Sequence, residues 1–138
     1  MGDAMGLLLA KLHSTTSALN NEALAVFGLR ERSFSVLALA CSGLEPTQRE
    51  LADFLSLDPS QIVSLVDDLE GRGLIERTQG KRDRRAKIIT GTPAGNELHE
   101  NARRTLEDCE KNQLSAFTEG EVSQLRSLLK KALCHIRS

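Results

Sequence analysis

Two closely spaced helix starts, followed by a charged hairpin, constrain this chain more than any other feature. Thr47 stands three residues before Glu50, the capping-box spacing, in which each residue satisfies a backbone or side-chain partner of the other. Pro46 disfavours helix in the residue before it. Leu51, Phe54 and Leu55 then recur at helical spacing on one face. Ser56-Leu57-Asp58 reads as a turn. Asp58 caps a second helix, Pro59 suits its first position, and Gln61 completes a second capping box. Ile62, Val63, Val66 and Leu69 form its apolar stripe, and Gly71 and Gly73 end it. Beyond them, Leu74 to Arg77 and Lys87 to Thr90 have strand character, with a basic tip between them.

This is the outline of a helix-turn-helix with a wing. The second helix keeps Ser60, Gln61 and Ser64 off its buried stripe near its N-terminus, with Leu65 or Asp68 at the edge. The N-terminal residues of a recognition helix reach base edges in the major groove. Glutamine pairs bidentately with adenine, and serine pairs with several edges. Thr47 and Gln48, at the start of the preceding helix, join them as expected DNA contacts. Between Arg72 and Lys87 there are seven basic and two acidic residues, a local net of +5 on a chain of net charge −1. Such a patch on an otherwise acidic chain is an electrostatic footprint for a polyanion. Lys81, Arg82, Arg84 and Lys87 are expected to meet phosphates.

The run Asp83-Arg84-Arg85-Ala86-Lys87, followed by Ile88-Ile89-Thr90 and Thr92-Pro93-Ala94-Gly95, resembles the MarR family of bacterial winged-helix regulators. Leu69-Glu70 and Gly73-Leu74-Ile75-Glu76-Arg77 lie upstream at matching spacing, and the order of helices agrees across nearly the whole chain. The resemblance implies that Arg85 enters the minor groove and that Asp83 helps to hold it. It also implies a two-fold dimer with intertwined terminal helices. One departure is Gly91, where the family usually has leucine before Thr-Pro.

The 138 residues suffice for one domain with a modest core. With four Phe and no Trp or Tyr, that core must be aliphatic. No apolar run approaches the roughly 18 residues that span a bilayer. The three cysteines lack metal-ligand spacing, so neither metal nor cofactor is expected, and a reducing cytoplasmic compartment accounts for them most simply. His13, His99 and His135 stand in no recognisable catalytic pairing, and no phosphate-binding glycine loop or HExxH occurs. The chain is therefore read as a non-enzyme.

A first helix is expected over about residues 4–26, with Met5, Leu8, Leu9, Leu12, Leu19, Ala23 and Val26 on one face and Gly28 as its C-cap. Arg30 to Ala40 forms a central, nearly apolar helix. Thr92 and Pro93 begin a long helix whose stripe includes Leu98, Ala102, Leu106 and Cys109. Thr118 caps the last helix with Glu121, and its stripe runs through Val122, Leu125, Leu128, Leu129, Ala132, Leu133 and Ile136. Lys130, Lys131 and Arg137 near its end suit the helix dipole. The expected fold is thus mainly α. It comprises about six helices and a small antiparallel β-hairpin wing. A DNA-binding lobe at residues 30–90 sits between dimerisation helices at 4–26 and 93–138, all within one domain.

These features point to a homodimeric, cytoplasmic regulator, a repressor bound to a pseudo-palindromic site in double-stranded DNA. Family resemblance implies release by a small aromatic or phenolic effector, for which His13, Ser17, Arg32, Val36 and Leu37 are the candidate residues. Some family members sense oxidants through a cysteine near the start of the first helix, which this sequence lacks; a redox signal would use a different position, for which Cys134, beside Lys130, Lys131 and His135, is the candidate. The alternative from another class is a winged-helix protein–protein module whose basic tip binds an acidic partner.

Overall fold

The computed structural model describes residues 4–80 and 85–137, with Arg137 described in its backbone alone. Six α-helices and one two-stranded sheet follow in the order α1 (Met5–Leu24), α2 (Glu31–Ala40), α3 (Gln48–Leu55), α4 (Pro59–Gly71), β1 (Ile75–Gln79), β2 (Lys87–Gly91), α5 (Pro93–Gln113) and α6 (Glu119–Arg137). The α1 helix stops two residues short of the expected end and tightens into a 3-10 turn, Ala25–Phe27. Gly28, at φ 68°, then reverses the chain. Gly28 N–H donates to Ala25 O and Leu29 N–H to Leu24 O, the hydrogen-bond pair of a Schellman turn. Leu24 and Leu29 are both buried, which supplies the apolar contact that accompanies such a turn.

The core lies where α2, α4, the hairpin and the middle of α5 meet. Val36, Leu37, Leu51, Ile62, Val66, Leu69, Ile75, Ile89 and Ala102 all sit there with essentially no exposed surface. At roughly 1.5–3 kcal/mol for each fully buried aliphatic side chain, this cluster is the main favourable term holding the lobe together. The helix starts are where the sequence puts them. Thr47 Oγ1 accepts from Glu50 N–H at 3.1 Å while Thr47 N–H donates to Glu50 Oε1. Thr118 and Glu121 make the same reciprocal pair.

Two apolar positions face differently from expectation. Val63 is 41% exposed while Leu65 is half-buried against the core, so the stripe of α4 is Ile62, Leu65, Val66 and Leu69. At 100° per residue Val63 is turned about 100° round the helix from Ile62, onto the flank of the buried stripe, which the spacing of apolar letters alone did not resolve. Phe54 is 61% exposed, because Leu51 and Ala52 take the buried face of α3.

The hairpin pairs Ile75 with Gly91, Arg77 with Ile89 and Gln79 with Lys87. The β1 strand begins one residue and ends two residues later than the sequence pattern suggests, while β2 begins at Lys87 as expected and ends one residue later. Ile89 N–H donates to Pro46 O at 2.8 Å, so β2 is pinned to the residue just ahead of the α3 cap. Gly95 packs against β1's approach so tightly that a Cβ there would lie 1.9 Å from Leu74 O. Gly91 is explained by its neighbour: a Cβ would lie 2.5 Å from Cys41 Sγ, which occupies the space a larger residue would need.

Candidate nucleic-acid interface

The α4 helix is locked at its start. Pro59 occupies the first turn, and Gln61 Oε1 accepts from Asp58 N–H at 3.0 Å. Burial of Ile62, Val66 and Leu69 against α2 and α3 fixes the helix's rotation. The side turned outward then carries Ser60, Val63, Ser64 and Asp67, all exposed. Ser60 and Ser64 therefore stand together on this face, as expected, and Gln61 lies at its edge with its carbonyl engaged and its amide N–H groups still able to donate. Val63 was missed; only the rotation of the packed helix reveals it.

Beside this face, Thr47, Gln48, Arg49, Arg77, Ala86 and Lys87 surround a concavity of about 450 Å³. It brings together Thr47, Gln48 and Lys87 from the expected set and adds Arg49, which is exposed in the first turn of α3. The signal for Arg49 was its place directly before the capping glutamate.

Arg77 organises the root of the wing. Its Nε donates to Gln48 Oε1 at 2.8 Å, its Nη1 to Glu70 Oε1 at 2.6 Å and its Nη2 to Asp67 Oδ1 at 2.5 Å. One guanidinium thus ties β1 to the start of α3 and the second half of α4. The hydrogen bond that Arg77 donates to Asp67 raises its pKa, burial opposes the rise, and the Glu70 and Asp67 charges add to it. Arg72 is engaged as well, donating to Phe27 O and Gly28 O at 3.0 Å each. Two of the seven basic residues counted from the sequence are therefore held by internal partners, Arg77 by two carboxylates and Arg72 by neutral carbonyls that leave its charge in place. Lys87 and Arg85 are exposed at the hairpin. Lys81, Arg82, Asp83 and Arg84 lie outside the described residues, so the expected pairing of Asp83 with Arg85 does too.

The expected effector residues are dispersed. His13 faces a cleft of about 740 Å³ between α1, α5 and α6, whose walls include Leu12, Leu106, Leu125 and Leu133. Ser17 is half-buried on α1 and Arg32 is exposed on α2. Val36 and Leu37 are enclosed in the core with no accessible surface, so they pack the lobe and cannot line a cavity. Phe34, close by on α2, stacks on His99 of α5 with ring centroids 5.5 Å apart. Desolvation lowers the His99 pKa, against a smaller opposing pull from Glu100. Cys134 is exposed near the end of α6, whereas Cys41 is half-buried and its thiol pKa is pushed up by desolvation. Among the described residues no His, Cys, Asp and Glu cluster could hold a metal ion, and no helix is long and apolar enough to cross a membrane.

The profile of the MarR family matches residues 29–87, the span from α2 to the start of β2. Along almost the full length, the chain is 30% identical to the multiple antibiotic resistance protein MarR of Salmonella typhimurium, over 94% of this chain and 90% of that one. The chain belongs to the MarR family. Similar solved structures share the whole architecture and not the lobe alone. CouR from Rhodococcus jostii, solved bound to p-coumaroyl-CoA, is 40% identical, with a TM-score of 0.85 over 94% of this chain and 92% of CouR. A mutant of Escherichia coli MarR solved in complex with operator DNA is 28% identical, with a TM-score of 0.78 over 94% of this chain and 93% of that one. The family consists of winged-helix transcriptional regulators, and the six helices and two-stranded hairpin described above are its fold.

Proposed function

We propose that this MarR-family regulator binds a pseudo-palindromic operator in double-stranded DNA as a homodimer and represses transcription there. The observation that carries the reading is the outward face of α4. Ser60, Val63 and Ser64 project from a helix whose rotation is fixed by the core, next to a concavity rimmed by Arg49 and Lys87. Short polar side chains and one methyl-bearing side chain are suited to base edges and a thymine methyl, and the flanking cations to phosphates. The operator complex of the Escherichia coli relative supports the assignment.

Dimerisation is supported by the terminal helices. Met5, Leu8 and Leu12 of α1 and Leu128, Leu129, Leu133 and Ile136 of α6 are all exposed in the single chain. So much aliphatic surface on two long helices calls for a partner, and a second copy with two-fold symmetry covers both at once. In a dimer, the α1–α5–α6 cleft beside His13 becomes enclosed. It is the place we assign to a small aromatic effector, or to its CoA thioester as in CouR. An oxidant signal would act through Cys134, since burial keeps Cys41 a protonated thiol.

Selection of bound sites from a random duplex library with purified protein tests the reading. Recovery of an inverted repeat with half-sites about one helical turn apart supports regulator and dimer together. Weak, steeply salt-dependent binding without a motif would instead favour a module whose basic tip binds acidic proteins. With the selected site as probe, p-coumaroyl-CoA and its free acid test release.

A further inference from the structure

Arg72 joins two structural turns that the sequence keeps far apart. It is the C-cap residue of α4, with φ −84° and ψ −1°, and the chain reverses just after it at Gly73, φ 74°. Gly73 N–H donates to Glu70 O and Leu74 N–H to Leu69 O, a second Schellman turn like the one that closes α1. Leu69 and Leu74 are buried under it, as Leu24 and Leu29 are under the first. Both turns are therefore closed by paired backbone hydrogen bonds over buried leucines. The Arg72 guanidinium spans them, donating from Nη1 to Gly28 O and from Nη2 to Phe27 O. Those two carbonyls lie at the end of the first turn, where no further helical N–H follows to bond them. The fit is close: a Cβ on Gly28 would sit 3.0 Å from Arg72 Nη2.

The tie has a direction. The α4 helix packs on α2, α3 and β1, all parts of the same lobe. The α1 helix lies on the other side of the tie, carrying the exposed aliphatic face. The base-reading end of α4 is its N-terminus, about 20 Å from Arg72 along a 13-residue helix. Arg72 is thus at the wrong end to touch bases and in the right place to set the helix's angle against the dimer helices.

We propose that Arg72 is a positioning residue that fixes the two α4 helices of the dimer at one separation, and so determines which half-site spacing is accepted. The inference rests on the dimeric DNA-binding reading above. Adding one base pair between half-sites displaces one of them by about 3.4 Å and also rotates it, so a stiff dimer discriminates between spacings and a loose one does not. Lysine keeps the charge of arginine but lacks the planar fork that holds two carbonyls at once.

The test uses the full-length protein and its selected operator, with the spacer between half-sites lengthened or shortened one base pair at a time. Arg72→Ala, Arg72→Lys and Gly28→Ala are compared with wild type at several salt concentrations. Wild type is expected to lose about tenfold in affinity or more per base pair of altered spacing, similar to a mismatched base pair. All three variants are expected to flatten that dependence while the preferred half-site sequence stays the same, with Arg72→Lys keeping the wild-type salt slope. Gly28→Ala matters because it disturbs the tie from the α1 side. If the variants keep the sharp spacing preference, the proposal is wrong. If Arg72→Ala only lowers the salt slope by about one per protomer, Arg72 is a phosphate contact and the proposal is equally wrong. If wild type itself selects no inverted repeat, the dimeric reading fails, and this one with it.

Discussion

Replacing Gly91 by alanine tests the packing of the wing against the lobe, and Cys41 provides the internal control. An added Cβ at position 91 would lie 2.5 Å from Cys41 Sγ, 3.0 Å from Asn96 Oδ1 and 3.4 Å from Cys41 Cα. Non-bonded heavy atoms settle at about 3.5–4.0 Å, so the overlap with sulfur is about 1 Å. The Asn96 oxygen is the end of a side chain and can rotate away. Overpacking of this kind costs about 1–3 kcal/mol. Alanine regains about 0.5–1 kcal/mol through its lower unfolded-state entropy. The expected net loss for Gly91→Ala is about 0–2.5 kcal/mol, centred near 1 kcal/mol. Cys41→Ala removes one half-buried sulfur and should cost about 1 kcal/mol, close to a buried methylene. In the double variant the new methyl takes the place of the sulfur, so the total cost should stay near about 1 kcal/mol and not reach the sum of the two. Urea unfolding of the four proteins at one fixed protein concentration measures this, since association shifts apparent stability. Additive losses within about 0.5 kcal/mol would refute the steric account. A Gly91→Ala protein more stable than wild type would do the same.

Three further outcomes are expected. Arg85→Ala should weaken specific DNA binding sharply while the protein still folds, whereas Lys87→Ala should weaken binding to all sequences and lower the salt slope by about one per protomer; gel-shift titrations at graded salt separate the two. Gln61→Glu keeps the oxygen that accepts from Asp58 N–H and adds charge favourable to a helix N-terminus, so stability should hold or rise slightly while operator affinity falls; unaltered affinity would remove Gln61 from the interface. His99 is held below its ordinary pKa of 6.5 by desolvation, so the unfolded chain binds the proton first and stability should fall as pH drops below about 6.5. His99→Gln should flatten that acid limb in pH-dependent denaturation, and a limb of unchanged steepness would assign the dependence elsewhere.

Local chemistry made much of this fold legible. The reciprocal pairs of Thr47 with Glu50 and Thr118 with Glu121, and the prolines at 59 and 93, act within one helical turn, so their letters locate helix starts without knowledge of the rest. Gly28 could likewise be recognised as a C-cap because a left-handed residue there is a local requirement. The lobe between two long apolar helices, and the family to which it belongs, follow from the order of such elements and from the Asp83–Lys87 and Thr92–Gly95 segments.

What the tertiary structure decided is which side of each element meets the core and which charges have partners. Val63 and Leu65 are equally apolar letters on one helix, and only packing against α2 and α3 turns Val63 outward and Leu65 in. Val36 and Leu37, chosen as cavity walls, are taken by the core. Arg72 and Arg77 look like solvated cations in a charge count, yet one holds the carbonyls of a turn 44 residues earlier and the other bridges Gln48, Asp67 and Glu70. Gly91 departs from the family pattern because Cys41, 50 positions away, fills the space beside it. Capping and turn formation depend on neighbours in sequence; side-chain facing and ion pairing depend on neighbours in space, which the chain acquires only when it folds.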